Sequence, residues 1–199
     1  MTAIVAYAAY DAGWLLTDTG VWDPVACVLT GRHANKVATF PHSQIVCASR
    51  GEYERMQWAH RIVARMASFD ELEDLLLATV KQEWPGDDRY KMGLELVALG
   101  WSTRANRYLI AHVHAPAFTR NPACALLAPN PNWDMARVRS RFPDGPAPFG
   151  TPSNLLSAMT AQRDYLAREK LPPVGGLCVE TRINPAGITQ RIAHNFDAA

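Results

Sequence analysis

The chain has 199 residues, of which 48% are hydrophobic and 20% charged, and its formal net charge is +1. This length and apolar content suit one well-packed core, so we expect a single domain over residues 1–199. The balanced charge gives no reason to expect a nucleic acid or a membrane surface as partner. No spanning helix or signal peptide is evident, so we expect a cytoplasmic protein.

The first half of the chain is predicted to contain strands followed by two helices. The strands are predicted at Ala3–Tyr7, Trp14–Asp18, Lys36–Phe40 and Gln44–Ser49, with an irregular or hairpin segment at Val21–Arg32. An apolar stripe predicts a helix over Glu52–Ala67. Ser68 and Glu71 have the spacing of a capping box, which predicts a second helix ending before Pro85-Gly86.

The second half is predicted to return to hairpins, with two more helices between them. The strands are predicted at Met92–Thr103, Tyr108–His114, Ala123–Ala128, Cys178–Asn184 and Ile188–Phe196. Helices are predicted over Asn132–Phe142 and Ser153–Lys170, with an exposed loop at Pro143–Pro152 between them. Hairpins outnumber crossovers, so we expect mainly antiparallel sheets in a mixed α and β fold.

Three residues near the N-terminus have the types and order of an N-terminal nucleophile site. A threonine hydroxyl needs a nearby base, and removal of Met1 would give Thr2 its own α-amine for that purpose. A free α-amine has a pKa of about 7.7–8.0, which a nearby ammonium such as Lys36 would lower. Asp18 would pair with Lys36 and so allow a buried lysine.

Several segments together resemble proteasome β subunits and the bacterial proteasome-like proteases of the N-terminal-nucleophile hydrolase superfamily. Those families have a threonine at the start of the first strand, an Ala-Asp-Thr/Ser motif after the second, a Lys-Val/Ile pair, and a late Gly-Gly strand. The matching segments here are Thr2–Val5, Thr17-Asp18-Thr19, Lys36-Val37 and Val174–Gly187. The match touches both ends of the chain, whereas the middle matches poorly.

The resemblance implies an α+β fold, a four-layer αββα sandwich of two mainly antiparallel sheets. It also implies a threonine peptidase that cleaves peptide or amide bonds without a cofactor. Members of these families form homo-oligomeric rings, with helices such as Glu52–Ala67 at subunit contacts. Whether an ATPase partner is needed stays open at this point.

The resemblance also assigns roles around the nucleophile. Thr2 would attack the carbonyl, with Asp18 and Lys36 tuning its amine, and the Ala48 amide would form the oxyanion hole. Thr19 and Gly20 would lie beside the substrate, although both are equally suited to a turn. Two interpretations are open for the side chain of Arg50, which would bind an acidic substrate group or remain a surface charge.

Two departures from the family pattern keep other functions open. The stretch Leu126–Pro131 has no serine where the family has one, and Leu171-Pro172-Pro173 replaces an expected aspartate. These losses favour a catalytically silent ring-forming scaffold or binding subunit as the alternative. A small-molecule amidase is a further alternative, because other members of the superfamily act on such substrates.

The remaining reactive side chains suggest no metal site. His112 and His114 share a strand face, but no third ligand is evident. The four cysteines contain no CxxC pair and are interpreted as reduced thiols; they are Cys27, Cys47, Cys124 and Cys178.

Overall fold

The structure is a computed structural model that describes residues 2–23, 25–26, 28–51, 53–83, 94–114, 119–120, 125–128, 152–168 and 174–198. Within these residues the strands are β1 (Ile4–Ala8), β2 (Gly13–Asp18), β3 (Gly20–Asp23), β4 (Val28–His33), β5 (Val37–Phe40), β6 (Ile45–Arg50), β7 (Glu95–Ser102), β8 (Arg107–His114), β9 (Thr119–Arg120), β10 (Ala125–Ala128), β11 (Leu177–Asn184) and β12 (Gly187–Asn195). The helices are α1 (Tyr53–Val63), α2 (Phe69–Glu83) and α3 (Pro152–Arg168).

The strands form two five-stranded sheets and a separate hairpin. The first sheet has the order β10-β1-β2-β11-β12, and the second has the order β5-β6-β7-β8-β9. Strands β3 and β4 form the hairpin. Every described pairing is antiparallel. The expectation of an α+β fold with mainly antiparallel sheets is therefore confirmed.

Alternation along the strands divides the apolar residues between two faces of each sheet. In β1, Ile4 and Ala6 pack in a buried cluster with Val46 and Val97 of the second sheet. The intervening Val5 packs instead with residues of α3. The opposite face of the second sheet is covered by α1 and α2, whose buried residues include Ala59, Ile62, Leu72 and Leu76. This packing is compatible with a sandwich.

The sequence-based element boundaries agree with the described structure to within a few residues. The helix predicted over Glu52–Ala67 ends earlier, at Val63, because the amides of Arg65 and Met66 bond to carbonyls three residues back and tighten the last turn. The segment Val21–Arg32 contains most of the β3–β4 hairpin. The helix predicted over 132–142 lies outside the described residues, as do Cys27 and Cys124. Cys47 and Cys178 are buried free thiols.

The start of α2 is fixed by its cap and by a contact with the β7–β8 turn. The Ser68 hydroxyl accepts the Glu71 amide at 3.1 Å, as the capping box predicts. The Asp70 carboxylate accepts the hydroxyls of Ser102 and Thr103, each at 2.5 Å, and the Arg104 amide at 3.1 Å. Burial opposes ionisation of Asp70, but these hydrogen bonds outweigh it and lower the pKa of the carboxyl.

Replacing Asp70 with alanine should lower the free energy of unfolding by about 2–4 kcal/mol, because three donors lose a charged acceptor. Asp74 provides a matched control on the same helix, since it pairs with Arg104 where both side chains are more than half exposed. The Asp74→Ala variant should cost less than about 1 kcal/mol. If urea denaturation showed the same loss of unfolding free energy in both variants, the anchoring role of Asp70 would be contradicted.

Candidate functional site

A buried ion pair joins the end of β2 to the residue that precedes β5. The Lys36 ammonium donates to the Asp18 carboxylate at 3.0 Å and to the Gly20 carbonyl at 2.7 Å. The other carboxylate oxygen of Asp18 accepts the Ala3 amide at 3.0 Å. The Asp18 side chain is fully buried, and that of Lys36 is 8% exposed. Asp18 of this pair therefore accepts a hydrogen bond from the amide of the residue that follows Thr2.

Burial changes the acidity of both partners. Desolvation raises the pKa of Asp18, and the charge and hydrogen bond of Lys36 oppose this rise. Desolvation also lowers the pKa of Lys36, and Asp18 opposes this fall. For both groups burial favours the neutral form, and the partner's charge favours the ionised form. A lysine in such a setting is suited to tuning a neighbouring amine or to exchanging a proton with it.

Thr2 lies directly before β1 and is 4% exposed. Its neighbour Ala3 is the residue whose amide bonds Asp18. The structure thus brings Asp18 and Lys36 together, and it puts Thr2 one residue along the chain from the amide that bonds Asp18.

Thr19 and Gly20 bond the end of β2 to the first residue of β11 and to the Gly-Gly segment before it. The Thr19 amide donates to the Leu177 carbonyl at 2.9 Å, and the Thr19 hydroxyl accepts the Leu177 amide at 2.8 Å. The same hydroxyl lies 2.9 Å from Nδ1 of His33. Gly20 donates its amide to the Gly175 carbonyl at 2.8 Å. The two residues therefore have clear structural roles, and the partner His33 was not identified from sequence.

The Gly-Gly segment packs closely against this arrangement. Gly176 has φ of +75°, and a Cβ built there would lie 2.6 Å from the Thr19 hydroxyl and 2.7 Å from His33. Only glycine fits such a position without displacement of its neighbours. The backbone of Gly176 therefore approaches Thr19 closely.

Ala48 lies in the middle of β6 rather than at its end. It is fully buried and is paired with Val37 of β5 on one side and Val97 of β7 on the other. An amide in an inner strand is directed to one of its two neighbouring strands. The amide of Ala48, the expected oxyanion donor, is therefore directed to a neighbouring strand of the sheet. The first residue beyond β6 is Gly51, which has φ of +134°.

The interpretation of Arg50 as a surface charge is wrong. Its side chain is only 16% exposed and forms an ion pair with Glu95. His112 contacts the other oxygen of Glu95 at 2.7 Å. Burial lowers the pKa of Arg50, and the Glu95 charge opposes this change. Glu95 was not identified from sequence, although its spacing of two from the core residue Val97 predicts that it faces the same side of the strand.

Ser49 faces the opposite side of β6 and bonds a helix histidine. Its hydroxyl lies 2.9 Å from Nε2 of His60 on α1. Ser49 is fully buried, so a substrate cannot reach its hydroxyl in the folded chain. The pair is therefore a structural link between the second sheet and α1. Burial lowers the pKa of His60, which favours the neutral imidazole.

The buried His60 should make stability depend on pH. In the unfolded chain a histidine binds a proton near pH 6.5, whereas folded His60 binds it only at lower pH. As the pH falls through 6.5, the unfolded state therefore takes up a proton that the folded state does not, and stability is lost. Urea denaturation between about pH 7.5 and pH 5 should show this fall. The loss of stability between these pH values should be smaller in His60→Gln. An equal loss in wild type and His60→Gln would contradict this role of His60.

Within the described residues, no group of three or more His, Cys, Asp or Glu side chains is arranged to hold a metal ion. None of the described helices is long and apolar enough to cross a membrane. Neither a family model nor a curated protein matches this chain.

Proposed function

We propose that the chain is a threonine hydrolase of the N-terminal-nucleophile superfamily, with a four-layer αββα fold. Two antiparallel sheets that share a buried cluster, with α1 and α2 outside one and α3 outside the other, support this fold. The observation that carries the proposed function is the buried Asp18–Lys36 pair, which bonds the Ala3 amide next to Thr2. An ion pair is costly to bury, so its place beside a threonine favours a functional role.

In the proposed reaction, loss of Met1 frees the α-amine of Thr2. The amine takes the proton of the Thr2 hydroxyl as the oxygen attacks the carbonyl carbon of a peptide or amide. The amine then returns this proton to the leaving nitrogen, and the C–N bond breaks to leave an ester on Thr2. Water, deprotonated by the same amine, hydrolyses the ester and restores the hydroxyl. Lys36 tunes the amine throughout, and Asp18 holds Lys36 in position.

The oxyanion needs a backbone N–H that no strand already uses. The amide of Ala48 belongs to an inner strand, so we assign this role instead to the first residue beyond β6, Gly51. Arg50 is engaged by Glu95, so a role in binding an acidic substrate group would require it to serve both partners.

The proposal includes assembly into a homo-oligomeric ring. Tyr53 on α1 is 70% exposed and Leu75 on α2 is 44% exposed, which leaves apolar area on the two helices outside the second sheet. Apolar side chains in such positions suit a contact between subunits. The need for an ATPase partner is a separate question, which the rate of degradation of folded and unfolded substrates would answer.

The experiment that tests the function is labelling with a peptide epoxyketone, which must react with both the hydroxyl and the α-amine of an N-terminal threonine. Intact mass and peptide mapping should locate one adduct per chain on Thr2. The Thr2→Ala variant is the matched control, because it retains a small second residue and a free amine but has no hydroxyl. An unlabelled wild-type chain would contradict the proposed function.

A catalytically silent scaffold of the same fold is the second candidate. Two observations favour this silent scaffold. The residue next to the Gly-Gly segment, Val174, is apolar and only 4% exposed. Strand β10, with the sequence Ala-Leu-Leu-Ala, contains no serine. This candidate predicts a stable oligomer with no adduct on Thr2. Labelling and light scattering on one preparation therefore distinguish the two candidates.

A further inference from the structure

The buried hydroxyl of Thr17 lies close to the site and contributes no hydrogen bond to the described fold. Thr17 is fully buried in β2, and among the described residues its Oγ1 has no hydrogen-bond partner. A buried hydroxyl without a partner costs a folded protein stability. Valine has the same shape without this cost and suits a strand equally well. The hydroxyl is therefore a candidate for a functional group.

The strand register puts Thr17 close to the proposed nucleophile. Thr17 is paired with Ile4 of β1, and its neighbour Asp18 faces the opposite side of β2. Ile4 and Leu15 belong to the buried cluster between the sheets, and side chains two residues apart share a face. Thr17 is thus on the face between the sheets, and Thr2 is two residues before its cross-strand partner. Diagonal neighbours in paired strands lie about 7–8 Å apart, so an extended chain from Thr2 to Ile4 would put Thr2 near Thr17.

We propose that the Thr17 hydroxyl is a positioning residue, which hydrogen-bonds the α-amine of Thr2, directly or through one water, once Met1 has been removed. This inference rests on the proposed function. A hydroxyl both donates and accepts, so it can accept one N–H of the amine and leave the amine lone pair for the Thr2 hydroxyl proton. The role would supply a hydroxyl near Thr2, whereas the sequence Leu126–Pro131 contains no serine.

The first test compares Thr17→Val with Thr17→Ser in the chain that begins at Thr2. The rate of epoxyketone labelling should fall by about 10-fold or more in Thr17→Val, and should stay within about threefold of wild type in Thr17→Ser. The pH at which the labelling rate is half-maximal should also move in Thr17→Val only. An unlabelled wild-type chain overturns the proposed function and this role with it. A wild-type chain that labels at the same rate as Thr17→Val overturns the role of Thr17 alone.

The second test is a stability readout that does not depend on activity. In a chain with an N-terminal extension that blocks processing, Thr17→Val should raise the melting temperature by about 2–4 °C, because an unpaired hydroxyl is lost. In the chain that begins at Thr2 this gain should disappear, because the amine is then its partner. Equal gains in both forms would overturn the role.

Thr181 provides a matched control in the same sheet. It is fully buried on β11, but its hydroxyl accepts the Gln190 side-chain amide at 3.0 Å. Thr181→Val should therefore lower the melting temperature in both forms and leave the labelling rate unchanged. A loss of labelling in Thr181→Val equal to that in Thr17→Val would show a general effect of the sheet and would overturn the specific role of Thr17.

Discussion

Replacing Lys36 with alanine is expected to lower the free energy of unfolding by about 3–5 kcal/mol and to stop labelling of Thr2. The stability loss follows because the fully buried Asp18 carboxylate would keep only the Ala3 amide of its present described partners. The loss of reactivity follows because the Thr2 amine would lose the charge that lowers its pKa. Urea denaturation measures the first effect, and the rate of epoxyketone labelling measures the second.

A double variant separates these two effects. In Asp18→Asn/Lys36→Met both charges are removed together, and the introduced side-chain amide can still accept the Ala3 N–H through its oxygen. Stability should recover to within about 2 kcal/mol of wild type, since replacing both members of a buried pair is far less costly than removing one. Reactivity should not recover. A double variant that is as unstable as Lys36→Ala would contradict the pairing, and a reactive one would contradict the role of the pair in catalysis.

Replacing Thr2 with alanine is expected to lower the hydrolysis of unstructured peptides by about 1,000-fold or more, because the nucleophilic oxygen is lost. Thr2→Ser retains a hydroxyl and a small second residue, so it should keep activity within about 10-fold of wild type. Neither change removes a described hydrogen bond, so both variants should fold. Hydrolysis is measured as new amino groups released from a denatured protein substrate.

The outcome for Thr2→Ala also distinguishes this site from any contaminating protease. Activity that persists in Thr2→Ala at the wild-type level would exclude Thr2 as the nucleophile. Activity that is lost equally in Thr2→Ser and Thr2→Ala would show that the threonine methyl group, and not the hydroxyl alone, is required, and would contradict the mechanism as written.

The order of most of the described elements and the ion pair could be predicted from the sequence. Strands such as β1 and β2 have strong apolar runs, and the types and spacing of Asp18 and Lys36 predicted a contact that the structure confirms at 3.0 Å. The ion pair could be predicted because a lysine that is buried at a site requires a specific acidic partner.

Other parts of the site could not be derived from local pattern. Ala48 was placed by counting residues from a family motif, whereas the register of three strands determines where its amide lies. Neither interpretation of Arg50 includes its ion pair, because its partner Glu95 is 45 positions away in sequence. The missing partner of Thr17 is likewise a property of the packed sheets and cannot be read from one strand.

The proposed hydrolase requires that Thr2 become the N-terminal residue, and the first measurement to make is the intact mass of the untagged chain, purified under native conditions. We expect a chain lighter than the full sequence by one methionine residue, with an N-terminal sequence that begins Thr-Ala-Ile. A chain that retains Met1 after normal expression has no α-amine on Thr2 to act as base. That result would contradict the hydrolase and favour the silent scaffold.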